Sequence, residues 1–173
     1  MQTVKERTPL TEPVVQPFTE QDTEWKTRFF HEHWGGTLMI SRGVTHHLDT
    51  HPGFIALLEG NRAGLLTYYI QNQECEITCL ESLKEGRGIG TALIEAAKAA
   101  ARDADCTRLW LITSNDNVDA LRFYQKRGFT LVAVHRDAIT EARKLKPQIP
   151  LTGNYGIPIR DEIELECPLS GAR

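Results

Sequence analysis

Glu85-Gly86-Arg87-Gly88-Ile89-Gly90-Thr91-Ala92-Leu93 is a glycine-rich turn that runs directly into an alanine-rich, amphipathic segment. The apolar spacing predicts a helix over 88–105, with Ile89, Leu93, Ala96, Ala97, Ala100 and Ala104 along one face. A helix that starts behind such a turn presents bare N–H groups, a ready anion site. Twenty-seven residues beyond Gly90 begins Asn117-Val-Asp-Ala-Leu-Arg-Phe-Tyr-Gln-Lys-Arg-Gly-Phe129. There the phenol of Tyr124 rides on a short helix stopped by Gly128, downstream of a strand. Together the two stretches imply a phosphate-bearing cofactor with an acid near its reactive end. Two familiar phosphate motifs are excluded. A dinucleotide fingerprint read from Gly86 or Gly88 needs glycine where Thr91 or Leu93 stands. A P-loop needs a lysine that Gly90-Thr91-Ala92 lacks.

Working outward, residues 1–12 read as a flexible tail and 13–173 as one domain without a linker or internal repeat. Val14 to Phe18 is a candidate strand, and Thr19-Glu-Gln-Asp22 has the form of a capping box. Trp25, Phe29, Phe30 and Trp34 follow at helical spacing, closed by Gly35-Gly36. Thr37 to Arg42 is a short strand or a loop. Gly53 to Glu59 and Ala63 to Ile70 are strands joined through Gly60-Asn61-Arg62, and Glu74 to Leu83 continues the meander. Arg108 to Thr113 is apolar enough for a central strand, and Phe129 to His135 and Asp161 to Cys167 complete the set. Ala138 onward reads as a helix ending near Pro147, then a loop to Tyr155, with Arg143, Lys144 and Lys146 on a solvated helix face. A meander followed by strand–helix alternation predicts an α/β fold, a mixed sheet with helices on both faces.

The two motifs resemble those of the GNAT superfamily of acetyl-CoA-dependent N-acetyltransferases. Glu85-x-x-Gly88-x-Gly90 follows its cofactor motif, with Glu85 where the family usually has Gln or Arg. Asn117-x-x-Ala120-x-x-Phe123-Tyr124-x-x-x-Gly128-Phe129 matches the later motif in full. The resemblance implies a mainly antiparallel central sheet of six to seven strands and acetyl-CoA as cosubstrate. It also implies a cofactor site of Leu80, Glu81, Ser82 and Leu83 on a strand, Glu85, Gly86, Arg87, Gly88, Ile89, Gly90 and Thr91 at the phosphates, and Asn117, Ala120, Phe123, Tyr124 and Arg127 beyond.

Transfer to an amine needs an oxyanion donor, for which the Leu80 amide is the candidate, an interaction worth roughly 3–4 kcal/mol. Tyr124 matches the residue that protonates the departing thiolate. Alkyl amines titrate near 10, so a base or a water path is required. The resemblance implies a base on this strand four or six residues before the contact position, at Glu76 or Glu74, with Glu76 favoured. Simple alternation puts Glu74, Glu76, Thr78 and Leu80 on one strand face and Glu81, the candidate to orient the amine, on the other. By the same resemblance, Trp34, Arg42, Tyr68 and Tyr155 are acceptor contacts, and a homodimer is an expectation. Asn117 caps its helix or meets the cofactor; Lys126 and Arg127 meet phosphates or complement a helix C-terminus.

Composition narrows the rest. A net charge of −3 with 25% charged residues and no basic block argues against nucleic acid or anionic membranes. No apolar run approaches the ~18 residues of a membrane span, and the polar start lacks a signal-peptide core, so a cytoplasmic protein is expected. The four cysteines are read as reduced thiols, and neither Cys75-x-x-x-Cys79 nor the histidine pairs suggest a metal. No cysteine sits in a motif for an acyl carrier, which favours direct attack in a ternary complex on a small-molecule or peptide amine. The rival reading is a CoA-binding sensor without turnover; Tyr124 and the strand glutamates weigh against it.

Overall fold

A computed structural model describes residues 11–169; most of the tail expected over 1–12 lies outside the described residues. The chain begins with β1 (Val14–Pro17), and a capping box, Thr19 with Asp22, opens a single 3₁₀ turn. Helix α1 (Thr23–Trp34) ends at the left-handed Gly35. Three hairpins then follow: β2 (Leu38–Ser41) with β3 (Val44–His47), then β4 (Gly53–Leu58) with β5 (Asn61–Gln71), then β5 with β6 (Glu74–Ser82). Their turns, Arg42-Gly43, Glu59-Gly60 and Asn72-Gln73, carry two successive positive φ values each, the twist-matched turn of tight hairpins. Helix α2 (Ile89–Asp103), β7 (Arg108–Ser114), α3 (Val118–Gln125), β8 (Thr130–His135), the short α4 (Ala138–Ala142) and β9 (Glu162–Pro168) complete the order.

The main sheet has seven strands in the order β1-β4-β5-β6-β7-β9-β8, and only β6 and β7 run parallel; the mixed, mainly antiparallel architecture is as expected. Strands β2 and β3 form a separate small sheet. On one face, Ile89, Leu93, Ile94, Ala97 and Ala101 of α2 are buried against Leu66, Cys75, Ile77, Leu109 and Leu111. The buried stripe differs from the expected one: Ala104 is exposed and Ala101 takes its place, because the helix turns a hundred degrees per residue and Ile94 pulls the seam round. Each fully buried leucine or isoleucine among them stabilises by about 1.5–3 kcal/mol. On the other face, Phe29 and Phe30 of α1 pack with Leu48, Leu65 and Cys79.

Two irregularities create the site. First, β6 carries a bulge at Thr78: Thr67 pairs with Cys79 and Tyr68 with Ile77. Second, β6 and β7 are paired only from Glu74/Arg108 to Ile77/Leu111 and then part. Below the parting, Arg108 reaches Glu74, Glu164 and Glu166, each at 2.9 Å, so that one guanidinium spans β6, β7 and β9.

The expected long helix after Ala138 stops at Ala142. Arg143 does not face solvent there. Its guanidinium donates to the carbonyls of Ile149 (3.0 Å), Pro150 (2.9 Å) and Ile159 (2.8 Å). Lys146 donates to the carbonyls of Leu38 (2.9 Å) and Trp34 (3.4 Å). These cations fold the loop back onto α1 and β2. Satisfying loop carbonyls outweighs continuing a helix toward Pro147, which cannot extend it.

Candidate active site

Two cavities meet in the opening between β6 and β7. The first, of about 700 Å³, lies along the glycine turn and the starts of α2 and α3. Gly88 has φ +72, and a Cβ there would meet no atom, so the turn leaves its amides uncovered. The first intrahelical bond runs from the Ala92 amide to the Gly88 carbonyl at 3.0 Å, so the N–H groups of Gly88, Ile89, Gly90 and Thr91 have no acceptor within the helix. Gly90 is needed for another reason: a Cβ there would lie 2.8 Å from Phe123, the contact that brings α2 against α3. Arg127 stacks on Phe123 at 3.6 Å and donates to Thr91 Oγ1 at 2.8 Å. Lys84, Arg122 and Lys126 also line this cleft, giving it four basic side chains against Glu81, Glu85 and Asp119.

The second cavity, about 350 Å³, lies on the α1 side, walled by apolar side chains such as Met39, Ile40, Ile112, Ile139 and Ile159. Its lining holds Glu81 and Glu162 and no Lys, Arg or His. Leu80, Glu81, Ala120 and Tyr124 line both cavities. Main-chain geometry points the same way. The Leu83 amide donates to Ala63 at 2.8 Å, so Leu83/Ala63 is a bonded pair of the ladder. Alternation then makes Ser82/Gly64 and Leu80/Leu66 non-bonded pairs. The N–H and C=O of Leu80 and Ser82 therefore face away from β5, into the opening left by β7.

The bulge corrects one expectation. With Thr78 inserted, Glu76, Cys79 and Glu81 all face α1 and the small sheet, while Leu80 packs with the α2-side cluster. Glu76 and Glu81 thus share a face. Glu81 accepts from Trp34 Nε1 at 3.1 Å, and burial raises its carboxyl above the ordinary range. Glu76 is buried beneath the small sheet, accepting from the Ser41 hydroxyl and lying 3.4 Å from His46 Nε2. Next to it His51 bonds Thr78 Oγ1 at 2.9 Å and stacks on Tyr69 at 5.5 Å. Burial, with His46 adding to it, pushes the His51 imidazole down to about 4. Burial lifts the Tyr124 phenol well above 10, with Cys79 and Glu81 pressing in the same direction, so it stays protonated through the neutral range.

The remaining expected residues divide. Asn117 lines the second cavity and caps α3, its Oδ1 accepting from the Ala120 amide at 3.3 Å. Ser82, Glu85 and Gly86 line the first cavity. Leu83 is exposed and Arg87 turns toward Glu59 at 4.0 Å; neither lines a cavity. Arg42 lies at a third hollow next to Glu162. Tyr68 is not brought to the site: below the bulge it faces the α2 side and packs on Phe54 at 5.9 Å. Tyr155 is 72% exposed and donates to Asp119 at the rim of α3. Sequence reasoning missed Ser41, His46, His51 and Glu162. The alternation of Glu162-Ile-Glu-Leu-Glu166 shows one all-acidic strand face, which was the available signal.

A parted pair of parallel strands, a glycine-turn anion cleft and a buried phenol between them define an acyl-CoA-type transferase scaffold. The sequence profile of the Acetyltransferase (GNAT) family matches residues 16–129, and the chain belongs to that family. Uncharacterized protein YdhI of Bacillus subtilis is 45% identical over 152 residues, 87% of this chain and 94% of that protein. Among solved structures, IAA acetyltransferase from Bacillus cereus superposes with a TM-score of 0.66 at 18% identity, over 91% of this chain and 99% of that one. A GNAT family acetyltransferase from Elizabethkingia anophelis, solved with acetyl-CoA bound, gives 0.66 at 16% identity, over 91% and 98%. No helix among the described residues is long and apolar enough to cross a membrane.

Proposed function

We propose that the protein transfers an acetyl group from acetyl-CoA to a primary amine by direct attack. The observation that carries this reading is the junction: Leu80, Glu81, Ala120 and Tyr124 belong at once to the anion cleft and to the apolar cavity. The cleft fits the cosubstrate, with open amides from Gly88 to Thr91 for phosphate oxygens and four basic side chains around them. Bound there, acetyl-CoA supplies an activated acyl group. The chain's own groups do the rest. The Leu80 amide, directed into the opening, stabilises negative charge on the carbonyl oxygen. Tyr124, kept protonated by burial, donates to the departing sulfur. Glu76, which lines neither cavity and sits behind the wall at Thr78, takes the proton of the amine through a water, and Glu81 orients that amine at the junction. Both glutamates being on one face makes this division workable.

Calorimetric titration with acetyl-CoA, wild type beside Gly88→Glu, tests the reading. Micromolar binding by the wild type is expected. In the variant, a side chain forced to positive φ and a negative charge at the amides should abolish it. Absence of binding by the wild-type protein would overturn the reading. Acetyl-CoA binding with no transfer to any member of a broad amine panel would leave the protein a CoA-binding sensor instead.

A further inference from the structure

Glu162 stands at the end of the apolar cavity away from the Leu80–Tyr124 junction. It is only 3% exposed, yet it lines both that cavity and an adjoining hollow of about 550 Å³. One carboxylate oxygen, Oε2, accepts from the Arg42 amide at 3.1 Å. Among the described residues, the other has neither a hydrogen-bond partner nor an ion pair. That oxygen keeps some exposure and opens into the cavities the side chain lines, where a cation would meet it as a hydrogen-bonded partner.

The nearby basic side chains make no close contact with its free oxygen, since each is directed at another acid, although the charges of His135 and Arg42 still draw the carboxyl down. His135 Nε2 lies 2.8 Å from Glu164, Arg42 lies 3.8 Å from Glu164, and Lys144 lies 2.6 Å from Glu141. Arg108 is held by that same Glu164 and by Glu74 and Glu166. Burial, with the negative charge of Glu76 adding to it, raises the Glu162 carboxyl above the ordinary range on balance. The cavity therefore has an acid at each end, Glu81 at the junction and Glu162 opposite, apolar walls between them, and no basic side chain.

We propose that Glu162 receives a second positive charge on the acceptor, so that the preferred acceptor is a diamine or an amine with a distant cation; this rests on the acetyl-transfer reading above. One amine reaches the junction while the other end is held by a charge-assisted hydrogen bond to the free oxygen of Glu162. An acceptor bearing a carboxylate at that end meets an unpaired buried acid and is rejected.

The test compares α,ω-diamines, the matching alkyl monoamines and the matching ω-amino acids, with wild type and Glu162→Gln. The glutamine keeps an acceptor for the Arg42 amide, and Glu162→Asp serves as a charge-retaining control. At some chain length the wild-type diamine should exceed the monoamine in kcat/KM by about tenfold or more. Glu162→Gln should erase that ratio by raising KM for the diamine, leaving monoamine turnover and acetyl-CoA affinity within about twofold. Monoamines equal to diamines at every length, a preference for ω-amino acids, or equal loss on both amines in the variant would overturn the proposal. Calorimetry of the diamine alone separates the two readings. Diamine binding that depends on Glu162 without any transfer upholds the acceptor site and fails the transferase. Transfer without diamine preference does the reverse.

Discussion

The two cavities that meet at Tyr124 are built in opposite ways. The anion cleft comes from two nearly continuous stretches, 80–91 and 119–127, and its defining groups are main-chain amides. The apolar cavity draws on α1, the β2 strand, β6, β7, α3, α4, the loop after it and β9, and its character is set by side chains. A main-chain site needs only a turn of the right shape, so it is written in one short motif. A side-chain site depends on which face of each distant strand turns inward. One half is fit to be common to many proteins; the other is free to differ in each.

Changes at the junction and on the acceptor side test that division, and the largest effect is expected at the junction. Tyr124→Phe should lower kcat by about 10²–10⁴-fold while leaving both acetyl-CoA and amine affinities within about twofold. Because burial raises the phenol, the alkaline arm of wild-type kcat should lie above pH 10. Loss of acetyl-CoA binding instead would make Tyr124 a wall of the cleft. Next, Glu76→Gln should lower kcat by about 10²-fold at neutral pH, with acetyl-CoA affinity unchanged in the same titration. A larger fall for Glu81→Gln would move the base to the junction.

A smaller effect concerns the polar wall behind Glu76. The folded-state pKa of His51 is depressed to about 4 from 6.5, so the unfolded chain binds the proton first as pH falls. Stability is therefore complete above pH 6.5 and declines between 6.5 and 4, by about 2–3 kcal/mol in urea unfolding. His51→Asn should flatten that window. The smallest change is Lys146→Met, which releases two carbonyl bonds to α1 and β2. It should cost about 1–2 kcal/mol and raise KM for the amine a few-fold without touching acetyl-CoA affinity. If it weakened acetyl-CoA instead, the two cavities would not be independent.

The same contrast decides what was legible in the sequence. Gly88, Gly90, Asn117 and Tyr124 are spaced by local geometry, and their motifs announce them. The meander was legible from alternation and turns. The β2–β3 hairpin was only half seen, because its turn is Arg42-Gly43, and arginine at a left-handed position is no turn signal. The bulge at Thr78 has no sequence mark at all, since it arises from how β6 accommodates β5 and then leaves β7. It decides whether Glu76 and Glu81 are neighbours or strangers. Glu162 was visible as a strand residue but not as a buried one, because its burial depends on α4 and the small sheet. Arg143 and Lys146 looked like solvated charges for the same reason: their partners are carbonyls far along the chain.

The parting of β6 from β7 has a last consequence. Sheets ordinarily expose unpaired edges at their margins, where they invite other chains and must be blunted. Here an edge opens in the middle of the sheet, between neighbouring strands, with the amide and carbonyl of Leu80 and Ser82 facing a slot. Below it the Arg108 clasp ties β6, β7 and β9 together, so the parting is confined to the upper end of the strands. An extended ligand with amides of its own, such as a pantetheine arm, is a missing strand for such a slot. Binding then completes the sheet as well as loading the site. Ligand at a thousand times its dissociation constant should stabilise the fold by about 4 kcal/mol, and the melting temperature becomes a readout of occupancy before any acceptor is known.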